Sequence, residues 1–162
     1  MPKILLNLLV LAVYAYGQID NEFETYLQEL TRDFEIEQIE SDSLNTKAVI
    51  LLDTREIEEY SISRIESAIW VGYDDFDLAR LEGIDQEDEI VVYCSVGYRS
   101  SKIGIMLKEH GYKNVKNLFG GIFNWANQGL PLYKDTTQTH QIHTYNRYWG
   151  RFIQNPTLIK MD

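Results

Sequence analysis

Apolar and polar positions alternate along this chain in two rhythms. From Gln18 to Phe34, "QIDNEFETYLQELTRDF" sets Ile19, Phe23, Tyr26, Leu27 and Leu30 at three- and four-residue steps with acids between them, which predicts a peripheral amphipathic helix. Short apolar runs then take turns with helical stretches. "IEQIE", "KAVILLD", "AIWVG", "EIVVYC" and "NVKNLF" read as strands. Between them "SDSL" reads as a capped turn, "REIEEYSI" and "DDFDLARL" as short helices and "SSKIGIMLKEHG" as a helix closed by Gly111. "GIFNWANQG" reads as a last helix, ended by Gly129 before Pro131. Strands separated by helices require crossovers, so the predicted fold class is α/β: a mainly parallel five-stranded sheet with helices on both faces. Trp125, Phe123 and Trp70 are expected to be core residues.

The first residues follow a different pattern. Lys3 precedes the apolar stretch "ILLNLLVLAV", and Ala15 and Gly17 offer small residues where a signal peptidase cuts. Residues 1–17 therefore read as a signal peptide, with export to a periplasm or to the outside and no stable membrane association after cleavage. An uncleaved anchor and an ordinary first helix are the alternatives. The remaining organisation is an N-terminal helix over 18–35, a domain over 36–132 and an extension over 133–162. That extension carries His140, His143, Tyr145, Tyr148, Trp149 and Phe152, too many aromatics for a free tail, and is expected to pack back on the domain.

Composition narrows the function. The 162 residues carry Asp+Glu 25 against Lys+Arg 15, so nucleic acid is not an expected partner. One cysteine excludes an internal disulfide and, with three histidines, leaves no familiar zinc set, so no metal site is expected.

That cysteine stands at a telling junction. In an open parallel sheet the carboxyl ends of the strands form the ligand edge, and two polar clusters fall there: Asp53 with Arg55, and Cys94 with Arg99. The segment Cys94, Ser95, Val96, Gly97, Tyr98, Arg99, Ser100 runs from strand end to helix start. Its amides can curl around the sulfur, and the helix N-terminus adds partial positive charge, a setting that favours the nucleophilic thiolate. Gly97 suits the tight loop. Tyr98 either shapes the mouth of the pocket or simply packs.

Three ordered segments resemble the rhodanese-like sulfurtransferases over roughly 36–132. "LLDTREIEEY" resembles the family's Asp-Val-Arg-Glu segment, "CSVGYRSS" its active-site loop, and "LFGGIFNWANQGLPL" its closing Gly-Gly and Trp signature. Arg64 and Glu66 stand where the family usually has His and Pro. The resemblance implies that Cys94 takes a sulfane sulfur from a donor such as thiosulfate or polysulfide and passes it, as a persulfide, to cyanide, a thiol or a protein, with no cofactor. It also implies that Arg99 pairs with Asp53 to order the loop, rather than holding the donor; Arg55 carries the same two readings. A cysteine phosphatase or arsenate reductase remains an alternative, although its loops place five residues between Cys and Arg where only Ser95 to Tyr98 intervene here. A non-catalytic binding module is the other, although such modules typically lose the cysteine.

Overall fold

A computed structural model describes residues 22–162. The signal-peptide reading of 1–17 and the first residues of the N-terminal helix lie outside them. Among the described residues no helix is long and apolar enough to cross a membrane.

Helix α1 occupies 22–31. Strands β1 (Glu37–Ile39), β2 (Ile50–Asp53), β3 (Ile69–Trp70), β4 (Glu89–Tyr93) and β5 (Asn114–Leu118) form one sheet in the order β1-β5-β4-β2-β3, with every pairing parallel. Helices α2 (Ile57–Ile62), α3 (Tyr98–Glu109) and α4 (Gly121–Asn127) connect or follow the strands, and "DDFDLARL" yields only a 3-10 turn at Leu78–Leu81. A parallel sheet must be covered on both faces, and the period-two alternation of its strands sorts the core accordingly. Leu51, Val91, Tyr93 and Leu118 pack with α1 (Phe23, Leu27) and α4 (Ile122, Phe123, Trp125). Leu52, Ile90, Val92 and Val115 face the other way, onto Ile103 and Leu107 of α3. Trp70 is only half-buried: its indole N–H donates to the Arg55 carbonyl, and the Arg80 guanidinium lies over its ring.

Beyond the sheet the chain forms a hairpin of β6 (Leu132–Lys134) with β7 (Thr137–Thr139), then a parallel pair of β8 (Gln141–His143) and β9 (Ile159–Met161) around α5 (Arg147–Gly150). Phe152 stacks on Phe23 at 4.7 Å between ring centroids, and Trp149 lies 5.6 Å from Tyr26. Ile142, Phe152 and Ile153 are buried in the same cluster as α1 and α4. The N-terminal helix and the C-terminal extension thus meet each other over one face of the sheet, where their aromatic area leaves water.

Candidate functional site

Register brings the two polar strand ends side by side, with Asp53 of β2 opposite both Tyr93 of β4 and Trp70 of β3. Cys94 follows Tyr93 directly and is buried, with the Gly97 amide donating to its Sγ at 3.1 Å. Gly97 has φ +101°, a left-handed backbone in which a side chain would be strained, and it is the residue that caps α3. Its carbonyl accepts from the Ser101 hydroxyl at 2.7 Å and from Asn117 Nδ2 at 3.2 Å, which ties the cap to α3 and β5. The other flank of the loop is held by α4, whose Ile122 and Phe123 amides donate to the carbonyls of Cys94 and Ser95. That approach requires glycine at 121, because a Cβ there would sit 2.3 Å from the Cys94 oxygen. The Gly-Gly of "LFGG" is therefore part of the site.

Arg99 pairs with Glu59, not with Asp53. Its two terminal nitrogens reach the Glu59 carboxylate at 2.7 and 2.9 Å and the Ser95 hydroxyl at 3.0 Å, and that hydroxyl donates to Glu59 at 2.7 Å. Glu56 stands 3.7 Å from the same guanidinium. Asp53 instead pairs with Arg55 at 2.6 Å, both without exposed surface, and Arg55 also donates to the Ser63 and Glu59 carbonyls. The cause is that the Asp53 carboxylate is already taken: it accepts from the backbone amide, Nε and Nη2 of Arg55. Arg55 is likewise too deeply buried to touch a donor.

Electrostatics follow these partners. Burial alone would push the Glu59 carboxyl up, but the hydrogen bonds and charge of Arg99, the charge of Arg55 and the Ser95 hydroxyl hold it below the ordinary carboxylate value. Burial also works against the Arg99 cation, yet the hydrogen bonds and charge of Glu59, with Glu56 nearby, hold it above its ordinary value. Burial, then the charge of Asp53, pushes the Tyr93 hydroxyl up, and that oxygen accepts the Ile65 amide at 3.2 Å.

Cys94, Ser95, Val96, Tyr98 and Arg99 line a pocket of about 230 Å³ together with Leu30, Tyr145 and Trp149. Tyr98 thus shapes the pocket, with Phe34 edge-on to its ring at 5.4 Å. Ser100 does not line it: its hydroxyl is buried in the first turn of α3 without a hydrogen-bond partner. Sequence reasoning missed Glu59, Leu30, Tyr145 and Trp149. None of the four left a signal that singles it out in the sequence; Glu59 is one acid among several in "REIEEY".

The family model described as a rhodanese-like domain matches residues 38–128. The chain belongs to the rhodanese-like family. A thiosulfate sulfurtransferase GlpE from Actinobacillus succinogenes is 33% identical over 94 residues, covering 56% of this chain and 81% of the relative. A sulfurtransferase from Allochromatium vinosum is 33% identical over 102 residues, covering 60% of this chain and 94% of the relative. Among solved structures, a rhodanese-related protein from Thermoplasma volcanium superposes with a TM-score of 0.51 at 26% identity, covering 60% of this chain and 98% of that one. The rhodanese match ends before the C-terminal extension and begins after α1, so Leu30, Tyr145 and Trp149 lie outside the matched residues.

Proposed function

We propose that this protein is a sulfurtransferase that carries sulfane sulfur as a persulfide on Cys94. The observation that carries the reading is the cysteine itself: Cys94 lines a pocket, and its Sγ accepts an amide from a loop clamped on both flanks. An amide donor aimed at the sulfur stabilises negative charge there, and fixed dipoles in a partly desolvated site do so without reorganising during reaction. In the first step the Cys94 thiolate attacks the sulfane sulfur of a donor, whose S–S bond breaks with the electron pair leaving on the departing group. In the second, an acceptor nucleophile attacks the outer persulfide sulfur and Cys94 leaves as thiolate. The sulfurtransferase names of the two relatives support this reading.

The residues position rather than coordinate. Arg99 is committed to Glu59 and Ser95, so it orders the loop and biases its charge instead of clamping a tetrahedral oxyanion bidentately. This commitment disfavours phosphoryl or arsenate chemistry at the same cysteine. The experiment is sulfur transfer by Cys94→Ser with polysulfide as donor and cyanide as acceptor, followed as thiocyanate. Loss of transfer with retained cooperative unfolding is expected; thiocyanate production at the wild-type rate overturns the proposal.

A further inference from the structure

The pocket around Cys94 has an unusual charge balance. Arg99 is the only cation among the described residues that line it, and its charge is answered by Glu59 on both nitrogens and by Glu56 at 3.7 Å. The Tyr145 ring covers the guanidinium at 4.9 Å. An inorganic sulfur dianion entering here finds the single cation of the lining already paired with a buried carboxylate, in a chain of net charge -10. The remaining wall is apolar: Leu30, Val96, Tyr98, Tyr145 and Trp149.

That wall is held in place. Tyr145 sits at φ +65°, with the Thr144 amide bonded to the Met161 carbonyl on one side and the Asn146 side chain capping α5 at the Trp149 amide on the other. Trp149 packs on Tyr26 and Phe152. A left-handed tyrosine, half exposed beside the reactive sulfur, is backbone strain that the surrounding pairings impose.

Resting on the sulfurtransferase reading, we infer that this pocket selects a small organic persulfide with an aromatic tail, seated against Leu30, Tyr145 and Trp149, over inorganic or charged donors. The transfer balances as Cys94–S⁻ + R–S–SH → Cys94–S–SH + R–S⁻: the donor S–S bond breaks, its electron pair leaves on R–S⁻, and the proton stays on the moved sulfur. No oxidant or reductant is consumed. A volume of about 230 Å³ admits a single-ring tail, as it falls just below the ~300–1,000 Å³ usual for drug-sized ligands.

The test compares benzyl persulfide, glutathione persulfide and thiosulfate as donors to the full protein, with sulfur on Cys94 followed by intact mass and rate. Benzyl and glutathione persulfides share the reacting bond and differ in the tail. A kcat/KM ratio of about tenfold or more in favour of benzyl persulfide is expected, the size of a well-filled apolar subsite. Tyr145→Asn keeps a residue that tolerates left-handed backbone while removing the ring, and Leu30→Gln alters the opposite wall. Each should pull the ratio toward one through the KM for benzyl persulfide. A ratio near one in the wild type, a preference for thiosulfate, or a ratio unmoved by both variants overturns the inference while leaving sulfur transfer intact. No added sulfur from any donor, polysulfide included, overturns the sulfurtransferase reading and this one with it.

Discussion

Arg99 and Glu59 form a two-point ion pair, at 2.7 and 2.9 Å, between the first turn of the helix after Cys94 and the middle of the helix after β2. Glu59 is only 2% exposed. The pair fixes where the loop ends, and Ser95 joins it from within the loop. Removing one partner of such a pair strands a buried charge at a cost of about 3–5 kcal/mol, most of which is recovered when both are removed. Glu59→Gln and Arg99→Ala should therefore each lower unfolding free energy in urea, with the double variant well short of the sum. Additive losses would contradict the pairing.

The same pair sets an acid limit. Because Glu59 is held below the ordinary carboxylate value, its contribution is complete at neutral pH. It begins to fail as pH falls through the ordinary carboxylate range and is gone once pH passes below Glu59's own lowered value. Unfolding free energy followed from pH 7 downward should fall less steeply in Glu59→Gln than in the wild type. Parallel curves would show that Glu59 carries no such linkage.

Asp53 and Arg55 are a separate unit. With no exposed surface on either residue, Asp53→Asn should destabilise the fold by about 3–5 kcal/mol. The KM for a sulfur donor should stay at its wild-type value, since neither residue lines the pocket. A raised KM without loss of stability would place Asp53 at the donor after all.

Gly121 holds the loop by having no side chain. In Gly121→Ala the new Cβ would meet the Cys94 carbonyl at 2.3 Å, whereas at Gly129, also at positive φ, a Cβ meets nothing within 4 Å. Both alanine variants carry left-handed strain, roughly 1 kcal/mol, so their difference isolates displacement of the cysteine. Sulfur transfer should drop about tenfold or more in Gly121→Ala, as expected for sub-ångström misplacement of a nucleophile, and change little in Gly129→Ala. Equal effects would show that the clamp does not position Cys94.

The sheet, its connections and the cysteine loop were legible in the sequence because each rests on local signals: β-branched runs, helix caps and glycines at breaks. The partner of Arg99 was not. Family resemblance pointed to Asp53, whose carboxylate is instead taken by Arg55, two residues on. Glu59 is one acid among several in "REIEEY", and only tertiary packing singles it out. Tyr145 and Trp149 were legible as aromatics that pack inward, not as walls of the site, because their arrival beside Cys94 depends on the β8–β9 pairing more than forty residues away in sequence.

The most direct measurement is the intact mass of the protein after incubation with polysulfide and removal of excess donor. The mass should rise by a single sulfur atom, located on Cys94 by peptide mapping, return to its starting value on addition of cyanide, and not rise at all in Cys94→Ser. A protein whose mass never changes, or whose added sulfur persists in Cys94→Ser, would contradict persulfide transfer at this cysteine.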